Sequence, residues 1–271
     1  MIKWLSVFQA ISKEVYNEVS TMLGSNQAKK IVGRGAGGDM TMHIDKRAEE
    51  IVINFLERKN ISCILVSEEC GIKIIGENLK DYVVLDGIDG TSNAVRGIPF
   101  TSISIAHATR PYLQEVDVGL VMDLYKGITF SAETGKGAYE EEFLLKPSSI
   151  TSLMDGIFSV KLPTNMKQKE MLCDITRLIP LISNIRKLRQ LGSVALELCY
   201  VASGRLDACI DLRHKIRATD LAAAYLIVRE AGGLIFTPDG NEVAIKLEAK
   251  AKTSFIAAAN STLYRNIFRL L

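Results

Sequence analysis

A stripe of apolar residues opens the chain. Leu5, Phe8, Ile11, Val15, Val19 and Met22 recur at spacings of three and four, which predicts an amphipathic helix over residues 4–23 with Gly24 as its stop. The glycine-rich stretch Gly33-Arg34-Gly35-Ala36-Gly37-Gly38-Asp39 reads either as a flexible connection or as a loop able to swing. A second helix is expected from about Asp45, with Ala48, Ile51, Val52 and Phe55 on its buried side. The period then changes. Short aliphatic or alternating runs predict strands at 61–66, 82–85, 101–106, 115–120, 128–131 and 137–139. Up to about residue 145 the chain therefore reads as helices on a largely antiparallel sheet.

The second half alternates differently. Strands are expected at 157–160, 185–188, 206–210 and 254–259, and helices at 167–178, 194–202 and 221–231, with a short terminal helix. Such alternation points to an α/β arrangement of sheet layers covered by helices. Lys146-Pro147-Ser148-Ser149 is the best candidate boundary, dividing the chain into 1–145 and 146–271.

Composition narrows the function. With 48% hydrophobic and 24% charged residues, the 271-residue chain can offset the entropy of ordering, so disorder is excluded. Its 33 basic and 31 acidic residues, net +2, give no general drive toward nucleic acid, and no nucleic-acid partner is expected. No apolar run reaches the roughly 18–20 residues of a membrane span. The opening residues lack the apolar stretch and cleavage site of a signal peptide, so a cytoplasmic location is expected. The five cysteines (63, 70, 173, 199 and 209) are odd in number and form no C-x-x-C pair. His43, His107 and His214 lie far apart, which leaves any metal chemistry to carboxylates.

Those carboxylates collect at one segment above all: Val83-Val84-Leu85-Asp86-Gly87-Ile88-Asp89-Gly90-Thr91-Ser92-Asn93. A buried strand runs out into two aspartates three apart. Asp86, Asp89 and the Ile88 carbonyl could share a divalent cation such as Mg²⁺, which prefers hard oxygen donors. The N–H groups of Gly90, Thr91 and Ser92 would open a helix, and a helix N-terminus cradles phosphate. The plainer alternative is an acidic turn, since Asp-Gly is a common turn dipeptide. Ser67-Glu68-Glu69 ends another strand, where only one glutamate is expected to face the site. Asp220 reads either as a helix N-cap or as a further ligand.

Taken together, these segments resemble the inositol monophosphatase family. Asp86-Gly-Ile-Asp89-Gly-Thr91-Ser-Asn93 is similar to its D-P-I-D-G-T-x-N signature, and Thr219-Asp220-Leu-Ala-Ala to Glu230-Ala-Gly-Gly233 to W-D-x-A-A followed by E-A-G-G. Gly38-Asp39-Met-Thr41 with Asp45 and Ala48-Glu49, Ser67-Glu68-Glu69, and Gly192-Ser193-Val-Ala195 to Asp207-Ala208 resemble three more segments, all in order. The likeness is to the archaeal branch, where inositol monophosphatase and fructose-1,6-bisphosphatase activities commonly coexist.

The resemblance implies a layered α-β-α-β-α sandwich of the sugar phosphatase superfamily, α+β and α/β in parts, usually homodimeric. It implies two or three Mg²⁺ ions per site (Mn²⁺ as a substitute) on Glu68, Asp86, Asp89, Asp220 and the Ile88 carbonyl. Glu68 would also serve catalysis by helping to activate a water. Thr91 and Asp45 would position that water, and Asp39 would lie in a mobile loop near an optional third metal. Residues 1–145 would then form the metal- and phosphate-binding domain and 146–271 the substrate domain. Two positions depart from the family. Gly87 replaces a proline and loosens the loop, and Thr219 replaces a tryptophan and removes an aromatic wall. In Arg213-His214-Lys215-Ile216-Arg217, a solvated basic loop is one reading; the other gives Arg213 or Arg217 the second phosphate of a bisphosphate. The expected reaction is hydrolysis of a small sugar or polyol phosphate. Phosphoadenosine phosphate or NADP phosphatase activity, and a regulatory role bound to RNA or RNA polymerase, are the alternatives.

Overall fold

A computed structural model describes residues 2–77, 79–164 and 167–271. Among them the helices are α1 (Trp4–Val19), α2 (His43–Arg58), α3 (Thr91–Arg96), α4 (Gln168–Ile182), α5 (Val194–Ala202), α6 (Ala218–Glu230) and α7 (Ser261–Phe268). The first ten strands are β1 (Ile31–Arg34), β2 (Met40–Met42), β3 (Cys63–Ser67), β4 (Gly71–Ile75), β5 (Tyr82–Asp89), β6 (Ser102–Ala108), β7 (Val116–Asp123), β8 (Thr129–Glu133), β9 (Gly137–Glu140) and β10 (Phe143–Leu144). Five more follow: β11 (Ile157–Val160), β12 (Lys187–Arg189), β13 (Ala208–Arg217), β14 (Leu234–Phe236) and β15 (Lys252–Ala258).

Two large sheets form the frame. The first has eight strands in the order β10-β9-β8-β7-β6-β5-β3-β4, and only the β3–β5 pair is parallel. The second runs β12-β11-β13-β15-β14, parallel at the β12 end and antiparallel beyond β13. The apolar stripe of α1, with Phe8, Ile11, Val15 and Val19 fully buried, packs with α2 on the outer face of the larger sheet. Trp4 stacks on His107 of β6 at 4.6 Å, while the imidazole bonds Asp117 at 2.5 Å and Asp81 at 2.9 Å. Helices α5 and α6 are apolar nearly all round, a composition that suits only a position covered on both sides. They lie between the two sheets, and α4 and α7 close the far face through Leu178, Leu181, Leu263 and Ile267. The layers are thus α-β-α-β-α, as expected. One apolar cluster runs from Val84 through Leu196 to Phe255, so residues on both sides of 146–149 share a core.

Several expectations need correction. The first helix ends at Val19, and residues 20–23 are turn. The glycine-rich stretch begins inside β1, which contains Gly33 and Arg34, and the rest of it joins β1 to β2 in a small hairpin. The basic run 213–217 is not a loop but the end of β13, which reaches Arg217 through an irregularity between Asp211 and Ile216. Helix α4 continues through Pro180, and α6 begins at Ala218, earlier than expected. Strand β14 carries too few residues to show a period, and in β4 the adjacent Ile74 and Ile75 break the alternation.

The middle layer packs backbone to backbone. A Cβ on Gly119 of β7 would lie 2.8 Å from the Ala223 carbonyl oxygen of α6, so glycine is required there. Gly119→Val should destabilise the protein by about 1–3 kcal/mol, the usual cost of overpacking. A denaturant midpoint lowered with an unchanged slope is the expected result.

Candidate metal centre

The two aspartates of the central motif lie inside β5, not beyond it. Side chains three apart on a regular strand face opposite sides of a sheet. Here Asp86 pairs with Ser104 and Asp89 with Ser102, so β5 carries one residue more than β6 across this interval. That bulge reverses the parity and turns both carboxylates to the same side. Both are buried. Gly90, at φ 90°, then turns the chain into α3 through a left-handed conformation that favours glycine.

Neighbouring elements bring further acids to this point. β3 runs parallel to β5 with Ser67 opposite Leu85, which sets Glu68 beside Asp86. Asp220 occupies the third position of α6 and Asp45 the third of α2, so Asp220 is not the N-cap. Each accepts its own N-cap N–H, from Met42 at 2.9 Å and from Arg217 at 3.1 Å, which fixes the carboxylates in the first turn. Oxygens of Glu68, Asp86 and Asp220 all lie within 4.8 Å of one another. Asp89 stands beside this trio. Its Oδ2 accepts the Ser193 hydroxyl and the Ala195 N–H, both at 2.7 Å, and Oδ1 remains. The Thr91 hydroxyl reaches Asp45 Oδ1 at 2.9 Å and the Ile88 carbonyl at 3.1 Å. Of the adjacent glutamates, Glu68 joins the trio and Glu69 turns to the Thr41 hydroxyl.

Crowding shows in the proton affinities. Burial, followed by the charges of Asp89, Asp220 and Glu68, pushes Asp86 well above the ordinary carboxylate range. Burial and then Asp220 raise Glu68 to about 8 and Asp89 to about 7. Asp45 reaches about 7, mainly through burial. The opposing charges are few. Arg217 contacts Glu68 at 3.0 Å and also pairs with Asp39, which brings the glycine-rich stretch over the site. That stretch is tied to the end of β3 as well, with the N–H of Ala36 donating to Glu69 and that of Gly37 to Glu68. Arg213, by contrast, spends its guanidinium on buried Asp211, with Nη2 and Nε both engaged. A set of hard, mutually repelling oxygen donors fits a divalent cation of the Mg²⁺ type.

Comparison with known proteins agrees with this geometry. The chain matches the inositol monophosphatase family over residues 3–271. It belongs to that family. A fructose-1,6-bisphosphatase/inositol-1-monophosphatase of Methanothermobacter thermautotrophicus is 37% identical, over 99% of this chain and 96% of that one. The bifunctional NADP phosphatase/NAD kinase of Methanococcus maripaludis is 34% identical over 95% of this chain, a match to 47% of its own length. Among solved structures, an inositol monophosphatase-fructose 1,6 bisphosphatase superposes with a TM-score of 0.85 at 31% identity, covering all of both chains. Membership of the inositol monophosphatase family makes this chain a metal-dependent phosphatase, a hydrolase of phosphate esters.

Against the family pattern, Gly87 is half-buried where β5 crosses α2, and a Cβ there would lie 3.2 Å from that of Ala48. Thr219 is buried and donates its hydroxyl to Asp220 at 3.3 Å. Three further residues support these acids. Thr41 bonds Glu69, Glu49 accepts the Ser67 hydroxyl behind Glu68, and Ser193 grips Asp89. Their only signal was a place inside motif-like segments.

The raised acids predict a pH effect with a definite sign. A carboxyl that is more basic folded than unfolded binds its proton more tightly in the native state, so stability falls as pH rises between the two values. For Asp45 that window opens near 4 and closes near 7, and for Glu68 it closes near 8. In EDTA the melting temperature should therefore fall from pH 5 to pH 8. Asp86→Asn should flatten that fall, and Mg²⁺ should raise the melting temperature more at pH 8 than at pH 5.

Proposed function

We propose that this phosphatase hydrolyses small sugar or polyol phosphates with Mg²⁺, acting on inositol 1-phosphate and on the 1-phosphate of fructose 1,6-bisphosphate. One observation carries it. Glu68, Asp86 and Asp220 converge from three separate elements beside a hydrogen-bonded Thr91–Asp45 pair. Glu68, Asp86, Asp89, Asp220 and the Ile88 carbonyl would hold the cations, with Asp39 near a third. When bound, such cations lower the pKa of water and offset charge on the transferring phosphoryl group.

The remaining work falls to the chain itself. Thr91 orients the attacking water: its hydroxyl donates a hydrogen bond to Asp45, which leaves the Thr91 oxygen lone pairs to accept from that water. Glu68, as a ligand to the cation, would assist in activating that water. The N–H groups of Gly90, Thr91 and Ser92 precede the first intrahelical bonds of α3 and are available to phosphate oxygens. Arg217 reaches the acidic cluster and is the better candidate for a second phosphate, whereas Arg213 is committed to Asp211. Residues 1–145 supply the phosphate-binding groups and 146–271 the substrate wall, with Asp220 crossing that division. The active form is a cytoplasmic homodimer.

Likeness to an NADP phosphatase supports a second substrate class, a nucleotide 2′-phosphate, at the same centre. Phosphate release should be measured with Mg²⁺ on inositol 1-phosphate, fructose 1,6-bisphosphate, 3′-phosphoadenosine 5′-phosphate and NADP. The first two are expected to be the best substrates. Turnover on NADP alone would transfer the assignment to the second class, and no release from any of the four would refute both.

Two substitutions probe the centre. Asp86→Asn should reduce kcat by more than the tenfold to hundredfold typical of a change in the outer metal shell, with an unaltered circular dichroism spectrum. Thr91→Ala should lower kcat by about 10²–10⁴ with KM little changed.

A further inference from the structure

Behind the acidic cluster lies a charged pair with no part in the proposed chemistry. Lys161, just past β11, and Glu197, in the first turn of α5, form an ion pair that is 3% and 0% exposed. A buried pair of this kind is a poor source of stability, because desolvating two charges cancels most of their attraction. The hydrogen bonds around it show a different use. Glu197 Oε1 accepts the N–H of Leu191 at 2.6 Å and of Gly192 at 3.1 Å, while Oε2 faces Lys161. One carboxylate thereby ties down the turn that leads into α5. The residues that follow hold Asp89: Ser193 through its hydroxyl and Ala195 through its N–H, both on Oδ2. The Leu191 carbonyl accepts the Asn93 amide at 2.8 Å, so the same turn also grips the chain just beyond Asp89.

We infer that Glu197 and Lys161 are positioning residues for the metal centre: Glu197 fixes residues 191–195 so that Oδ2 of Asp89 is consumed and Oδ1 alone faces the cation. Lys161 holds the Glu197 carboxylate in that orientation. This rests on the assignment of Asp89 as a ligand. The metal affinity of the protein then depends on a hydrogen-bond acceptor at position 197, and not on the ion pair as such.

That dependence separates positioning from simple structural support. Two double variants remove both charges and leave no unpaired ion: Lys161→Met with Glu197→Gln keeps an acceptor for the Leu191 and Gly192 N–H groups, and Lys161→Met with Glu197→Leu does not. Binding of Mn²⁺ alone, followed by electron paramagnetic resonance on the full chain without substrate, reads the centre directly. The Gln double should bind Mn²⁺ within about threefold of wild type, and the Leu double about tenfold or more weakly, the scale of an outer-shell loss. Ser193→Ala, a milder change, should weaken binding severalfold and keeps the test decisive if the Leu double does not fold. Equal Mn²⁺ affinity in the two doubles, or wild-type affinity in Ser193→Ala, would overturn the inference. Asp89→Asn is the reference. If it binds Mn²⁺ like wild type, the assignment of Asp89 as a ligand fails; if it loses a site while the doubles match, only the role of Glu197 fails.

Discussion

Mutual repulsion among buried carboxylates is the constraint around which this structure is built. Glu68, Asp86, Asp89 and Asp220 lie close together and largely out of water; burial raises the proton affinity of all four, and the charge of neighbours within the set adds to it at Glu68, Asp86 and Asp89. No short segment of chain would adopt such an arrangement alone. The apolar layers on either side supply the free energy that the acids oppose. A crowded set of carboxylates of this kind is suited to a divalent cation, in keeping with a metal-dependent phosphatase.

The scaffold softens the repulsion with partial charges. Asp45 and Asp220 sit in the first turns of α2 and α6, Asp89 accepts an N–H from the first turn of α5, and Thr91 opens α3. Helix N-termini favour anions. Four of them end at one place because α5 and α6 are clamped between two sheets, while α2 and α3 are fixed against β5. Arg217 adds a full positive charge, and through Asp39 it connects the centre to the glycine-rich stretch. Packing and electrostatics are therefore a single arrangement here.

Much of the fold was legible because its signals are local. The stripe of α1 and the aliphatic runs of β5, β6 and β7 carry their period within a few residues, and all four elements form. Short strands such as β4 and β14 pair only because a neighbour offers an edge, so nothing within them announced it. The basic run ending at Arg217 looked solvated by composition, yet β15 recruits it into β13. Segments of the site could be read for a related reason. Asp86 to Asn93 is contiguous, and its resemblance to a family survives without coordinates.

Resemblance to the family implied the layered sandwich, and the residues by themselves offered candidate carboxylate donors and a turn suited to phosphate. Side-chain type and near-neighbour spacing suffice for that, since they decide which atoms a segment can offer. Only the tertiary structure decided how those atoms meet. It placed Glu68 beside Asp86 through parallel pairing, turned Asp86 and Asp89 to one side through a bulge, and separated Arg217 from Arg213. It also set Glu197 behind Asp89 through Ser193, two positions more than a hundred residues apart from Asp89 in sequence. Such relations depend on register and on contacts across layers, which arise only when distant segments share one core.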